Sequence, residues 1–405
     1  MTGYRLREIA GAIHDALKTM PVVVLSGMRQ TGKSTLLLHQ PEFKSRKYIS
    51  FDDFATLEAA RRNPEGLIAG QDFLSIDEAQ KCPEILSVIK RDVDKNRKSG
   101  RFLLSGSANF LLLKNVAESL AGRSVYLTLH PFTRREISGA TKQSPALVHF
   151  FKHGFFPERK VPPIRWSEII TGGMPSVCLG EAKDSNIWFR GYEQTYLERD
   201  IRALSQVADL VSFRNLLQLA AFRNARVLKQ SELARDAKLN VMTVSRYLSL
   251  MEISFVIRRL PPYLRNPSSR LIKSPKLYFS DSGLAAYLTS LRKSDMASPL
   301  SGPILESYVA QNLEGILSSH WLDARIFYWH IQGRHEVDFI VEAGNEIIAI
   351  EVKNSSRWEE KDLTGIKSFL ATSPACRAGI LGYTGNDVVR LQGKLWAVPL
   401  QLLLS

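Results

Sequence analysis

The chain has 405 residues, of which 44% are hydrophobic and 23% are charged, and it carries a formal net charge of +14. This length suits two or three domains, and the composition excludes a disordered or fibrous protein. The three cysteines contain no C-x-x-C pair, and no apolar run reaches the ~20 residues of a membrane span. Because the N-terminus also lacks the continuous apolar core of a signal peptide, we expect a cytoplasmic protein without membrane contact.

Residues 1–140 alternate short apolar runs with amphipathic stretches. The predicted strands are the apolar runs 22–25, 48–51, 73–76, 102–104 and 125–129. Each run is followed by polar or turn residues and is separated from the next run by a helical pattern. This alternation predicts an α/β domain with a parallel sheet and crossover helices.

The sequence GMRQTGKS, residues 27–34, follows the first of these strands directly and opens a helix. Its pattern G-x-x-x-x-G-K-[ST] predicts a phosphate-binding loop whose backbone N–H groups surround the β-phosphate. Lys33 would neutralise the β- and γ-phosphates, and the hydroxyl of Ser34 would ligate Mg²⁺. The residues predicted to bind ATP with Mg²⁺ are Gly27, Arg29, Gln30, Thr31, Gly32, Lys33, Ser34 and Thr35.

Two acidic residues, Asp77 and Glu78, end the third predicted strand. Asp77 would hold Mg²⁺ through water, and Glu78 would orient and deprotonate the attacking water. The next strand ends at Ser105, whose side chain would lie between the two motifs and sense the γ-phosphate, with Ser107 as the second choice. The acidic pair predicts ATP hydrolysis rather than binding alone.

Arg123 lies just before the fifth predicted strand, in the sequence SLAGR. An arginine at this position could reach the γ-phosphate of a neighbouring subunit and stabilise the charge of the transition state. It could equally form a structural ion pair with an acidic residue. Both interpretations stay open.

These motifs together resemble the AAA+ ATPases of archaeal and bacterial type whose loop reads G-P-R-Q-x-G-K-[ST]-T-L. Met28 replaces the usual proline, and Ser34 replaces the commoner threonine. The likeness continues through IDEAQKCPE, LSGS, SLAGR and TYLERDI, so it covers most of the chain. The resemblance implies ATP and Mg²⁺ as cofactors and a nucleotide contact from Arg199 or Arg202 in the lid region. We also expect a homo-oligomer.

Residues 141–187 carry a cluster of proline and glycine and are predicted to form a connecting or lid segment. Residues 188–290 are predicted to be mainly helical, with strands near 254–263 and 276–279. Between residues 188 and 280 there are 16 Lys or Arg against 7 Asp or Glu. This local excess of positive charge favours a polyanion as partner, although many of these arginines could simply solvate helix faces.

Residues 230–251 have the spacing of a helix-turn-helix, with Leu239 and Asn240 at the turn. The second helix would turn Thr243, Arg246, Tyr247 and Ser249 outward. With the strands that follow, the segment resembles a winged helix, which implies contact with duplex DNA. The predicted DNA-binding residues are Thr243, Arg246, Arg265 and Arg270. A single arginine on the second helix favours weakly sequence-specific binding, and a protein contact or lid role is the alternative.

Residues 335–353 are predicted to form a hairpin that turns at Gly344 and Asn345. Symmetry about this turn places Asp338 opposite Glu351, with an apolar face containing Val337, Phe339 and Val341 on the other side. Two carboxylates this close repel each other unless a cation or a proton intervenes, so Mg²⁺ could bridge them. Lys353 would stand beside that ion, and Glu306 would supply a third carboxylate.

This pattern resembles the E…D…E-x-K site of the restriction-endonuclease-like fold, although Val337 stands where the family has proline. The C-terminal half also resembles a domain of unassigned function that accompanies these ATPases. The predicted domains are 1–140 (AAA+), 141–187 (connecting or lid), 188–290 (winged helix) and 300–405 (α/β, endonuclease-like). Three functions follow: an ATPase that binds and remodels DNA, an ATP-gated metal-dependent endonuclease, or a signalling ATPase whose winged helix holds a protein. An inert site, with Glu336 paired to Lys353, is the alternative to cleavage.

Overall fold

The structure is a computed structural model that describes residues 3–106, 120–196, 201–202, 209–264, 266, 270, 273–331 and 335–405. The predicted residues Ser107, Arg199 and Arg265 lie outside this description. Across the described residues, the helices are all too short or too polar to cross a membrane.

The N-terminal domain is built on a parallel sheet, as the apolar runs predict. Its strands are β1 (Val22–Ser26), β2 (Lys47–Ser50), β3 (Leu74–Asp77), β4 (Phe102–Ser105) and β5 (Ser124–Thr128). They lie in the order β2-β3-β4-β1-β5, and every neighbouring pair is parallel. As expected for strands covered on both faces, every residue of β1, β3 and β4 is buried.

Helices cover both faces of this sheet. They are α1 (Ile9–Thr19), α2 (Lys33–His39), α3 (Phe54–Arg62), α4 (Pro64–Ile68), α5 (Glu84–Lys95) and α6 (Arg134–Ser138). Ile13 of α1 and Leu36 of α2 pack on one face, and Ile85 and Ile89 of α5 pack on the other. This arrangement brings the carboxyl ends of β1, β3 and β4 to one edge, beside the start of α2.

The connecting segment is helical. It contains α7 (Ala146–His153), α8 (Trp166–Thr171), α9 (Pro175–Cys178) and α10 (Ser185–Thr195). Gly173, just before α9, accepts a hydrogen bond from the Phe132 N–H (2.7 Å) through its carbonyl. Its own N–H donates to the carboxylate of Asp281 (2.7 Å), so this segment is tied to the domains on either side.

The middle domain combines a helix-turn-helix with a small antiparallel sheet. Its elements are α11 (Leu210–Ala221), β6 (Arg226–Val227), α12 (Gln230–Ala237), α13 (Val241–Ile253), β7 (Ile257–Leu260), β8 (Lys276–Phe279) and α14 (Ser282–Leu288). The strands lie in the order β6-β8-β7. Asn240 caps α13 by accepting a hydrogen bond from the Thr243 N–H (2.7 Å), as the turn position predicts.

Tyr247 of α13 is buried, and its ring centroid lies 5.0 Å from that of Phe213 in α11. The expectation that it faces outward was therefore wrong. The helical spacing left Tyr247 at the edge of the apolar stripe, and packing against α11 turns that edge inward.

The C-terminal domain is a mixed sheet flanked by helices. Its elements are α15 (Ser301–His320), β9 (Arg325–Ile331), β10 (His335–Ala343), β11 (Glu346–Lys353), α16 (Thr364–Thr372), β12 (Cys376–Tyr383), β13 (Val389–Arg390), β14 (Leu395–Pro399) and α17 (Leu400–Leu403). The order is β13-β14-β12-β11-β10-β9. The hairpin register is confirmed where Phe339 pairs with Ile350 and Val341 with Ile348.

A β-bulge interrupts β10 around Asp338, one of the predicted metal ligands. The pairing of β10 with β9 shifts register between Val337 and Ile340. Val337 consequently packs in the same apolar cluster as Ile340, whereas Phe339 and Val341 pack in another. Strict alternation, which placed Val337 beside Phe339, fails here because a bulge inserts one residue and redirects the side chains around it.

One apolar core joins the connecting segment, the middle domain and the C-terminal domain, while the N-terminal sheet has a separate core on each face. A single cluster of buried side chains extends from Met28 in the phosphate loop through the middle domain to Leu404. The long helix α15 is buried along most of its length, and Asn312 accepts a hydrogen bond from the Arg134 N–H of α6 (2.7 Å). The N-terminal domain is therefore packed directly against the C-terminal half.

Candidate active site

Two glycines shape the phosphate loop between β1 and α2. Gly27 has a φ of 147°, and a Cβ atom there would lie 2.4 Å from the carbonyl oxygen of Leu129. Gly32 has a φ of 91° and forms the N-cap of α2. Only glycine suits both positions, and the result is a loop whose backbone N–H groups lead into a helix N-terminus.

The loop closes around the side chain of Lys33. Its buried ammonium group donates hydrogen bonds to the carbonyl oxygens of Gly27 (3.0 Å) and Met28 (2.9 Å). The hydroxyl of Thr31 donates to the carbonyl of Met28 (2.8 Å). These contacts hold a positive charge at the centre of the loop, where phosphate oxygens would bind.

Arg7, which sequence reasoning missed, braces the loop from outside. Its guanidinium donates to the carbonyl oxygens of Thr31 (2.8 Å) and His130 (2.6 Å) and to the carboxylate of Glu136 (3.0 Å). The sequence gives no signal for this contact, because Arg7 and Glu136 are 129 residues apart. Arg7 also lies just before α1, in a segment without a recognisable motif.

Asp77 is held rigidly at the end of β3. Its Oδ2 accepts a hydrogen bond from the hydroxyl of Tyr48 (2.9 Å), and its Oδ1 accepts one from the hydroxyl of Ser105. Ser105 therefore lies between the two motifs as predicted, but its hydroxyl is used to position Asp77. Tyr48 was missed because its role depends on β2 being the neighbour of β3.

Glu78 adopts a left-handed backbone conformation, with φ 55° and ψ 39°. Such a conformation is unfavourable for residues other than glycine and often marks a functional site. The side-chain amide of Gln80 donates to its carboxylate. Burial and the charge of Asp77 raise the pKa of Glu78, while the charge of Lys33 opposes this rise. A raised pKa makes this carboxylate a better proton acceptor.

The phosphate loop and Glu78 line one cavity of about 850 Å³. Its other walls come from N-terminal residues, including Tyr4 and Arg7, and from Ser176 and Leu179 of the connecting segment. Ser34 lines the cavity, and Asp77 ends β3 immediately before Glu78, which also lines it. A hydroxyl and a carboxylate are donors that suit Mg²⁺, so these residues fit the metal that accompanies ATP.

Arg123 lies at the other end of the sheet. It precedes β5, whose first residue pairs with the first residue of β1, so it is a strand length of about 17 Å from the phosphate loop. Its guanidinium forms two hydrogen bonds with the carboxylate of Asp94 (2.6 and 2.9 Å). Within one chain, Arg123 thus makes the structural ion pair that was one of its two possible roles.

The predicted C-terminal metal site contains an ammonium group instead. Lys276 of β8 places its Nζ 2.6 Å from Glu306, 2.6 Å from Glu336 and 3.0 Å from Asp338. Within the described ranges, no group of three or more His, Cys, Asp and Glu side chains is arranged to hold a metal ion. The residues of this cluster therefore do not fit the predicted Mg²⁺.

Glu351 and Lys353 form an ion pair next to this cluster, with 3.1 Å between Nζ and Oε1. Burial and the charge of Asp338 raise the pKa of Glu351 well above its ordinary value. Burial and Asp338 likewise raise the pKa of Glu306 to about 8, although Lys276 opposes this. The predicted alternative pair of Glu336 with Lys353 is replaced by the pair of Glu336 with Lys276.

Two of the predicted DNA-binding residues lie on α13, and a third faces the C-terminal domain. Arg246 is exposed on α13, and Thr243 is half-buried with its N–H bound to the cap of that helix. Arg270 is nearly buried and pairs with Glu342 of β10 (3.0 Å), so it is turned toward the C-terminal domain rather than outward. Cations that are exposed around the helix-turn-helix and its sheet are Arg226, Lys229, Arg235, Lys238, Arg246 and Lys273.

Three family models match successive parts of the chain. Residues 19–138 match a model described as an AAA domain, which is the class that the phosphate loop and the parallel sheet define. Residues 166–295 and 301–403 match two domains of unknown function, DUF8612 and DUF4143. The AAA match covers the part of the chain that contains the phosphate loop and the parallel sheet.

Relatives extend over nearly the whole chain. Uncharacterized proteins of Mycobacterium bovis and Mycobacterium tuberculosis are each 29% identical over 403 residues, covering 98% of this chain and 84% of theirs. An uncharacterized protein of Haemophilus influenzae is 20% identical over 351 residues, covering 82% of both chains.

Among solved structures, the RuvB Holliday junction branch migration motor of Thermotoga maritima matches with a TM-score of 0.28 and 14% identity. The match covers 62% of this chain and 85% of that one. A signal transduction ATPase (STAND) protein of Pyrococcus horikoshii matches with a TM-score of 0.27 and 12% identity, covering 79% and 47%. Scores this low add nothing about function.

Proposed function

We propose that this chain is a P-loop ATPase that binds ATP with Mg²⁺ in the cavity between β1, β3 and the connecting segment, and hydrolyses it. The observation that carries this proposal is that the phosphate loop and Glu78 line one cavity. The match of residues 19–138 to an AAA domain supports it.

Each residue of the site has a distinct role. Lys33 and the N–H groups of the loop bind the phosphates, while Ser34 and Asp77 hold the metal. Bound Mg²⁺ would neutralise charge on the phosphates. Glu78 is the base that accepts a proton from the attacking water, and Gln80 orients its carboxylate.

Nucleotide binding is tested with Lys33→Ala and a fluorescent ATP analogue. We expect the variant to lose binding by roughly a hundredfold, because it removes the positive charge that the phosphates would contact. Lys142→Ala, at an exposed lysine of the connecting segment, is the matched control and should bind as the wild type does. Equal binding by Lys33→Ala and the wild type would refute this site.

We further propose that nucleotide state is coupled to binding and remodelling of DNA through the middle domain. The order helix-strand-helix-helix-strand-strand from α11 to β8 supports a winged helix. Exposed Arg226, Lys238 and Arg246 lie on or beside its helix-turn-helix. Backbone contacts through such cations predict weak sequence preference and strong dependence on salt.

The DNA proposal is tested by fluorescence anisotropy with a labelled duplex at several salt concentrations. Lys238→Ala with Arg246→Ala should weaken binding on every sequence and reduce the salt slope by about 2, one for each lost phosphate contact. Lys142→Ala is again the control for a loss of one exposed charge. Wild-type protein that retains no duplex at low salt would refute the proposal.

A protein partner is the second candidate for the middle domain. The first turn of α13 exposes two apolar side chains, Val241 (49% exposed) and Met242 (83% exposed). Apolar groups at the outer end of a recognition helix suit a protein surface better than a phosphate backbone. ATP turnover that is unchanged by added DNA, in a chain that retains no duplex, would favour this signalling role.

A further inference from the structure

The acidic cluster of the C-terminal domain is closed by a lysine from another domain. Lys276 belongs to β8 of the middle domain, and its side chain is only 2% exposed. Its Nζ lies within 3.0 Å of oxygens of Glu306, Glu336 and Asp338. An ammonium group has three N–H donors, so the three carboxylates satisfy all of them.

We propose that Lys276 is the resident cation of this cluster, in the place where the related nuclease pattern would hold a metal ion. The acidic residues then dock the middle domain onto the C-terminal domain and do not cleave DNA. This proposal is independent of the ATPase, and it removes the endonuclease from the candidate functions.

The distances are those of hydrogen bonds to an ammonium group. Charge-assisted N–H···O bonds measure roughly 2.7–2.9 Å, whereas Mg²⁺ takes six ligands at about 2.0–2.1 Å. The Nζ atom lies in the space between Glu306 and Asp338, which are two of the three predicted metal ligands. A metal ion and Nζ cannot share that space.

The second oxygen of Asp338 also has a partner within the protein, whereas Oε2 of Glu351 is buried without a hydrogen-bond partner among the described residues. Oδ2 of Asp338 accepts a hydrogen bond from the N–H of Val352 (2.9 Å). The hydroxyl of Tyr278, two residues after Lys276 on β8, donates to Oε1 of Glu306, the oxygen that Lys276 also contacts. The third predicted ligand, Glu351, pairs with Lys353 (3.1 Å), so the lysine of the E-x-K pattern is also part of an internal ion pair.

The charges around Lys276 keep it in the ammonium form. Burial alone would lower the pKa of Lys276. The negative charges of Glu306, Asp338 and Glu336 outweigh this effect and raise that pKa well above its ordinary value. Four carboxyl groups and two lysines leave a negative excess, and burial together with this excess raises the pKa of Glu306 and of Glu351.

Further contacts hold the same segment against the C-terminal sheet. Arg270 pairs with Glu342 of β10 (3.0 Å) and stacks over the ring of Phe327 of β9 (4.5 Å to the centroid). The hydroxyl of Tyr328 donates to the carbonyl of Ser274 (2.5 Å). These contacts join the segment before β8 to strands β9 and β10. Lys276, at the start of β8, is the buried member of this row of contacts, as docking of the two domains requires.

The first test measures Mn²⁺ uptake by the nucleotide-free full chain with electron paramagnetic resonance. Wild type and Asp338→Asn should take up the same number of ions, because the cluster already holds a cation. Wild-type protein that binds one more Mn²⁺ than Asp338→Asn would overturn the proposal. This comparison does not depend on any variant of Lys276.

The second test removes the lysine. Lys276→Ala should gain one Mn²⁺ that the wild type lacks, and its melting temperature should rise with added Mn²⁺, because an ion that binds the folded state stabilises it. The double variant Lys276→Ala with Asp338→Asn should show neither the additional Mn²⁺ nor the rise in melting temperature. Lys273→Ala, at an exposed lysine three residues earlier, is the matched control and should gain no ion. A folded Lys276→Ala that gains no Mn²⁺ would overturn the proposal; if it does not fold, the first test decides alone.

Discussion

Glu78 combines three features that suit a catalytic base: a left-handed backbone, partial burial, and a carboxylate that accepts a hydrogen bond from Gln80. The sequence could predict the residue, because an acidic pair at a strand end after a phosphate loop has few other uses. It could not predict Gln80 or Tyr48 as partners of the acidic pair, because those contacts depend on the local turn and on strand order.

The raised pKa of Glu78 predicts how ATP turnover depends on pH. A base acts only when deprotonated, so turnover should fall on acidification with a midpoint above that of an ordinary glutamate. The amide of Gln80 lowers the pKa of Glu78, so Gln80→Ala should move the midpoint to higher pH. The measurement is steady-state turnover across pH at saturating ATP. A midpoint that Gln80→Ala moves to lower pH would contradict this role.

Tyr4 is predicted to contact the base or sugar of the nucleotide. Its ring lines the cavity with that of His39, at a centroid distance of 5.9 Å, and its hydroxyl donates to Gln40 (2.6 Å). Tyr4→Ala should weaken ATP binding about tenfold, since an aromatic contact contributes roughly 1–1.5 kcal/mol. Tyr4→Phe keeps the ring and should bind nearly as well. Equal losses in both variants, measured with a fluorescent ATP analogue, would assign the effect to the hydroxyl instead.

Among the elements, the strands of the N-terminal domain and the hairpin at Gly344 were predictable from sequence. Buried parallel strands leave long apolar runs, and a two-residue turn sets the register of its hairpin. The bulge at Asp338 was not predictable, because it arises from the pairing of β10 with β9 rather than from β10 itself. That bulge changes which side chains share a face with Phe339.

The start of α1 and helix α6 are joined by two crossed, buried ion pairs. Arg7 pairs with Glu136, and Arg135 pairs with Glu8, whose carboxylate is also 3.3 Å from His320 of α15. Although burial opposes it, the hydrogen bonds from His320 and Arg135 hold the pKa of Glu8 below its ordinary value. These pairs fix the segment from which Arg7 braces the phosphate loop.

Breaking one of these pairs should destabilise the protein strongly. Arg135→Met leaves the buried carboxylate of Glu8 without its main partner, which should lower the free energy of unfolding by about 3–5 kcal/mol. Glu8→Gln with Arg135→Met should cost less than Arg135→Met alone, because no uncompensated charge is left. Denaturant unfolding of the single and double variants checks this. Equal costs would mean that Glu8 does not need its partner.

At the scale of the whole molecule, one apolar core reaches from Met28 through the middle domain into the C-terminal domain, and α15 is buried along most of its length. Met28 belongs to the same apolar core as side chains of the middle domain, so this core connects the phosphate loop with that domain. The sequence predicted three kinds of domain from their motifs, but not that Lys276 would enter the acidic cluster of another domain. That contact joins residues 62 positions apart, and neither motif contains a signal for it.

The homo-oligomeric state stays a prediction, and a role of Arg123 between subunits depends on it. Its pair with Asp94 has both partners at the surface, so a neighbouring subunit could compete for the guanidinium. If Arg123 acts between subunits, Arg123→Ala should reduce ATP turnover at protein concentrations where the chain assembles and leave nucleotide binding unchanged. Full turnover by a strictly monomeric wild type, measured by light scattering and phosphate release together, would exclude that role.

The most direct test of ATP hydrolysis compares Glu78→Gln with the wild type in two measurements on the same preparation: nucleotide binding and phosphate release at saturating ATP and Mg²⁺. Glu78→Gln keeps the size and burial of the side chain but cannot accept the proton. The account predicts ATP binding close to that of the wild type with turnover reduced by a factor on the order of 10²–10⁴. Phosphate release by Glu78→Gln at the wild-type rate would contradict it.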